Sequence, residues 1–148
     1  MTKTQKTLRW ESLYEAARVA AGRAYAPYSG FYVGCASLTE DNRVVTGSNV
    51  ENASYGLTLC AECSMISALI ASGGGTLSKV CCLDTHGNIV PPCGRCRQLI
   101  AEHGNSDTLI AMPHKARTLR ELLPGHFEIS HFSPQRASSK RKTSIQQL

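Results

Sequence analysis

Strand-like and helix-like stretches alternate along this 148-residue chain, and that alternation predicts an α/β layered fold in a single domain. Three observations carry the prediction. Between Trp10 and Tyr25 the residues Leu13, Ala17, Ala20, Ala21 and Ala24 fall on one helical stripe. Two strand-like segments then meet through a short polar turn. Two later helical stretches each end at glycine and give way to a strand-like run. No internal repeat and no linker long enough to divide the chain is visible.

In chain order, the first helix gives way to the loop APYSG, punctuated by Pro27 and Gly30. Phe31 to Leu38 and Val44 to Ser48 read as a strand pair joined through Glu40-Asp41-Asn42-Arg43. The loop ENASYGLTL leads to a helix opened by Cys60, carrying Met65, Ile66, Leu69 and Ile70, and stopped by Gly73-Gly74-Gly75. Lys79 to Leu83 is the next strand and His86-Gly87-Asn88 a turn. Cys93 to His103 forms another helix ending at Gly104, followed by a strand from Thr108 to Met112. The segment TLRELL from Thr118 predicts a short last helix before Pro124.

Composition excludes several classes. A hydrophobic content of 42% with 18% charged residues suits a globular protein, and no apolar run reaches the roughly 18 residues of a membrane span. The N-terminus MTKTQKTLRW has basic residues without the apolar run of a signal peptide. Seven cysteines in such a chain point to metal or catalytic use in a reducing compartment, so a cytoplasmic protein is expected. The formal net charge is +5, but Arg136, Lys140, Arg141 and Lys142 sit in SPQRASSKRKTSIQQL, a polar stretch without aromatics. That composition predicts a disordered tail over residues 133–148 in preference to a nucleic-acid arm. Residues 1–132 form the expected domain, near neutral in charge.

Two Cys-x-x-Cys pairs stand out, CAECSMI at residues 60–66 and PCGRCRQ at residues 92–98. Cys60 and Cys93 open two helices, where free N–H donors and a partial positive charge favour thiolates. Cys93 and Cys96, three apart on one turn, can reach one ion, and Cys60 supplies a third sulfur. Glu62 is then close enough to lean over a fourth position, the arrangement of a hydrolytic zinc site with three protein ligands. A closed four-sulfur site using Cys63 is the competing structural reading. The pairs are 29 residues apart, from 64 to 92, against roughly 15–20 in zinc ribbons, and they run into helices instead of turns. Cys63, spaced with Ile66 and Ile70, is expected to face the core as a small buried hydrophobe. His86, His103 and His114 lie in turns or at a helix end and read as exposed residues.

The combination NVENASYGLTLCAE with PCGRCRQ resembles the small, homotetrameric, zinc-dependent cytidine deaminases, over roughly residues 8 to 127. The resemblance implies a three-layer α-β-α sandwich around a mixed sheet of about five strands. It implies one zinc ion per subunit held by Cys60, Cys93 and Cys96, and Glu62 as the group that shuttles protons. Asn49 and Glu51 would hydrogen-bond base and ribose, Phe31 would wall the base pocket, and the N–H of Ala61 with carbonyls around Pro91 would fix the ring edge. The segment LLPGHF matches the family's C-terminal pattern, so Phe127 would stack on the base bound by a neighbouring subunit, with Tyr55 near that contact.

The activity so implied is hydrolytic deamination of cytidine and deoxycytidine to uridine and deoxyuridine, in pyrimidine salvage. A blasticidin S-type deaminase of nucleoside analogues and a non-enzymatic, zinc-stapled interaction domain are the alternatives; a polynucleotide-editing enzyme would rest on the basic tail alone. One residue departs from the family pattern. Many relatives carry arginine after the glutamate, where its charge offsets the sulfurs, and here Cys63 stands in that place. Arg95 or Arg97 and the two helix dipoles are expected to compensate.

Overall fold

The computed structural model describes residues 3–128, with side chains from Trp10 onward; the expected tail at 133–148 lies outside the described residues. Five strands form one mixed sheet in the order β2-β1-β3-β4-β5. β1 (Val33–Thr39) is antiparallel to both β2 (Val44–Ser48) and β3 (Leu77–Asp84). β4 (Leu109–Ile110) runs parallel to β3 and antiparallel to β5 (Arg117–Thr118). Helix α1 (Lys3–Ala21) covers one face, and α2 (Ala61–Ala71) with α3 (Gly94–His103) covers the other, making three layers. A short α4 (Leu119–Leu122) starts at Thr118, whose hydroxyl and the Glu121 carboxylate form a reciprocal capping box.

All seven residues of β1 are buried, as a strand with helices on both faces requires. Its alternation sorts the core. Cys35 faces α2 together with Cys82, Ala61, Met65, Leu69 and Ile100, whereas Ala36 and Leu38 face Leu13 and Ala17 of α1. Two glycines allow the helices to lie close on the sheet. A Cβ on Gly34 would stand 2.0 Å from the Ala17 carbonyl oxygen of α1, and one on Gly47 would stand 2.1 Å from the Met65 nitrogen of α2. Through Gly47, β2 sets the depth at which the first turns of α2 sit.

The observed elements differ from the sequence expectation at their edges. α1 begins at Lys3 and ends at Ala21, although Ala24 extends the stripe; Arg23 and Ala24 donate to the carbonyls three residues back and close the chain into a turn. The five strands agree with the expected count, but the position of β5 and a single 3-10 turn at Tyr55–Leu57 were not read from the residues, both being too short to show periodicity. Among the described residues, no helix is long and apolar enough to cross a membrane.

Candidate active site

Cys60 and Cys93 are the N-cap residues of α2 and α3, with extended backbone just ahead of the first turns. The helices start side by side, so the two caps approach each other, and Cys96 enters from the first turn of α3. The sulfurs of Cys60, Cys93 and Cys96 all lie within 4.8 Å of one another. Glu62, in the first turn of α2, is buried beside them at 5% exposure. The donor set fits zinc: three thiols at mutual distances that one tetrahedral ion can span, with a buried carboxylate whose charge a cation would offset.

Electrostatics differ among the three thiols. Burial, ahead of the Glu62 charge, pushes Cys96 up, and burial also raises Cys60 despite the Cys96 thiol beside it. Burial opposes ionisation of Cys93 too, but the Cys96 N–H and the Cys96 and Cys60 thiols outweigh it and lower its pKa. Behind Glu62 lies a further thiol, Cys82, cross-strand partner of Cys35 and hydrogen-bonded to it. Cys82 also reaches the Glu62 carboxylate, and the Cys35 contact and burial hold its pKa well above the ordinary thiol range.

Cys63 corrects the sequence expectation. It is half-buried and outside the convergent trio, and Ile70 is exposed. The buried side of α2 consists of Ala61, Glu62, Met65, Ile66 and Leu69, which leaves Cys63 on the flank toward α3. There its sulfur accepts a hydrogen bond of 2.9 Å from Arg95 Nη2. Of the three histidines expected to be exposed, His86 and His114 are, whereas His103 is half-buried.

A cleft of about 190 Å³ opens in front of the sulfurs, lined in part by Phe31, Asn49, Ala61, Glu62 and Pro91. Phe31 is half exposed at its mouth. Asn49 lines the wall with its amide tied to the backbone, Oδ1 accepting from Val33 N at 2.8 Å and Nδ2 donating to Phe31 O at 2.9 Å. One N–H and one lone pair of that amide remain for a ligand.

Thr58 joins this cleft to a second one of about 320 Å³, lined by Tyr28, Ser29, Glu51 and Tyr55. Glu51 accepts from Tyr28 N at 2.9 Å, Ser29 N at 3.2 Å and the Ser29 hydroxyl. The hydroxyl bond first, then these N–H groups, lower its pKa. Tyr28, Ser29 and Thr58 were not anticipated from sequence; Ser29 and Glu51 are 22 residues apart and only the fold joins them. Phe127 lies elsewhere in its own chain, in a depression with Ala101, Asn105 and His126, where Gln98 Nε2 donates to its carbonyl at 2.9 Å.

Comparison with known proteins agrees with this geometry. The model of the cytidine and deoxycytidylate deaminase zinc-binding region matches residues 9–112. The chain is 52% identical over 127 residues to a cytidine deaminase of Mycobacterium tuberculosis (strain CDC 1551 / Oshkosh), covering 86% of this chain and 96% of the relative. The crystal structure of cytidine deaminase from Mycobacterium tuberculosis superposes with a TM-score of 0.78 at 55% identity, over 80% of this chain and 97% of that one. The cytidine deaminase of Mycobacterium leprae gives 0.77 at 56% identity, over 78% and 97%. With most of its length matched in both sequence and fold, the chain belongs to the cytidine and deoxycytidylate deaminase family.

Proposed function

We propose that this protein is a zinc-dependent cytidine deaminase, converting cytidine and deoxycytidine with water to uridine and deoxyuridine plus ammonia. The observation that carries the reading is the convergence of Cys60, Cys93 and Cys96 beside a buried Glu62 at the floor of a cleft. Those three cysteines would hold one zinc per subunit, and zinc so held supplies the Lewis acidity that makes water nucleophilic near neutral pH.

Glu62 then does the proton work. Its carboxylate takes a proton from the attacking water and delivers it to N3 of the pyrimidine as oxygen adds to C4. It carries a second proton to the exocyclic nitrogen, which leaves as ammonia while C4 becomes a carbonyl. Phe31 offers a ring face to the base, and the Ala61 N–H at the start of α2 fixes its edge. Asn49 and Glu51 bind base and ribose, each lining one of the two clefts that share Thr58. Phe127, which lines a separate depression and not the cleft of its own chain, acts on that of a neighbour in a homotetramer, with Tyr55 at the contact.

The catalytic domain is assigned to residues 1–132, with residues 133–148 as a dispensable basic tail. All seven cysteines are free, which suits the reducing cytoplasm and a role in pyrimidine salvage. Incubating the zinc-loaded protein with cytidine should give the ultraviolet change of uridine formation and one ammonia per uridine. Absence of both would sink the reading.

A further inference from the structure

The site contains three sulfur ligands where zinc binding requires three thiolates. Three negative charges against a dication leave the cluster negative, and the buried Glu62 adds to that. Such a cluster resists making a nucleophile from water, because removing a proton there adds still more negative charge. A cation beside the sulfurs counters this. Two arginines lie in the same turn of α3. Arg97 is committed elsewhere: its Nε donates to Pro92 O at 3.0 Å and its Nη1 to Leu122 O at 3.0 Å, tying the approach to Cys93 to the end of α4. Arg95 sits between Cys93 and Cys96 in sequence, and its guanidinium bridges to α2 by the 2.9 Å bond to Cys63 Sγ.

Building on the zinc-site reading above, we propose that Arg95 is the positioning residue that supplies the compensating charge of the three-sulfur site, and that Cys63 is its anchor. Cys63 is therefore neither a fourth ligand nor a core filler. It holds one end of a guanidinium that straddles the two helices bearing the ligands. Geometry explains why a thiol serves here. The first turns of α2 and α3 are adjacent, so a cation rooted on α3 reaches the flank of α2 only if α2 offers an acceptor there. The pair also couples the helix starts mechanically. The sign of the effect on metal affinity follows from charge. Loading replaces three thiol protons by one dication, a net gain of one negative charge, so a nearby cation favours the loaded state.

The test uses purified holoenzyme and reads zinc transfer to a competing chelator beside kcat and KM on cytidine. Arg95→Gln should lose zinc about 10–100-fold more readily, the range found when groups supporting metal ligands are removed, and kcat should fall with little change in KM. Arg95→Lys should fall between that variant and wild type. Cys63→Ala should keep one zinc per chain but shift zinc transfer in the same direction as Arg95→Gln, and by less. Combining Cys63→Arg with Arg95→Gln returns a guanidinium to the same side of the sulfurs and should recover much of the loss, which a purely structural role would not predict. Should Arg95→Gln fail to fold, Arg95→Lys and the combined variant carry the same comparison. Wild-type zinc affinity and turnover in Arg95→Gln, with Cys93→Ala losing zinc, would overturn the Arg95 proposal alone. Zinc retained by Cys93→Ala would overturn the underlying site reading as well.

Discussion

Glu62 lies in the first turn of α2, where a carboxylate is favoured by the helix dipole whatever its function, and its burial beside three sulfurs supports the proposed catalytic role over that ordinary one. Glu62→Gln keeps the shape and removes the proton shuttle, so zinc content and melting temperature should hold while kcat falls about 10²–10⁴-fold. Near wild-type deamination by this variant would end the mechanism. At this scale the sequence was informative where spacing equals chemistry. Cys-x-Glu and Pro-Cys-x-x-Cys point to ligands and base because a helical turn fixes which side chains meet. It was uninformative for Cys63, because spacing with Ile66 and Ile70 suits a buried stripe and a flank equally well. The flank was decided by where β2 and β1 lie beneath α2. The Cys82 thiol against Glu62 was equally invisible, since β3 and α2 meet only in the folded core.

Elements place these residues through close approaches that leave no slack. Gly47 lets α2 rest on β2, and a methyl group there would meet Met65 N at 2.1 Å. Gly47→Ala should therefore push α2 outward, destabilise the fold by about 1–3 kcal/mol and lower zinc content, read by thermal melting and metal analysis. Unchanged zinc content with a lowered melting temperature would uncouple helix depth from the site. A second element device is the turn after β3. Asp84 accepts from His86 N, Asn88 N and Asn88 Nδ2, each at 2.9 Å, and these bonds, the Asn88 side chain first, hold its carboxyl below the usual range. That turn aims Val90 and Pro91 at the cleft.

A carboxyl depressed in the folded state contributes stability fully present above its unfolded value of about 3.9 and lost as pH falls through the folded value. Asp84→Asn should therefore cost about 1–3 kcal/mol at neutral pH, with the gap to wild type closing below about pH 4. Urea melts at both pH values check this; a gap that stays constant would assign the effect to packing. The long elements were legible from periodicity and glycine stops. The strand read over Thr108 to Met112 is present only as the two residues of β4, and β5 was not defined by any local pattern, because only its neighbour in the sheet makes it a strand.

At the scale of the whole molecule, the segments flanking both clefts carry exposed apolar side chains. Tyr25, Tyr28 and Phe31 on one side, and Val50, Tyr55, Leu57 and Leu59 on the other, all exceed 40% exposure. Exposed apolar surface of this kind suits an interface, and a second copy seated beside the clefts would close them from water. Phe127, at 57% exposure, lines a separate depression and not the cleft of its own chain. A homotetramer at micromolar concentration, sedimenting as such at assay concentration, is the expected state. Phe127→Ala should raise KM for cytidine by the equivalent of roughly 1–3 kcal/mol, the scale of one base–aromatic stack, without loss of zinc. Mixing decides whether the ring acts within a chain or across the contact. Tetramers reassembled from Glu62→Gln and Phe127→Ala chains contain some clefts with Glu62 from one parent and Phe127 from the other, and those should regain wild-type KM if the ring crosses. A fully active monomer, or mixtures whose kinetics are only the sum of the two parents, would return Phe127 to a role in its own domain.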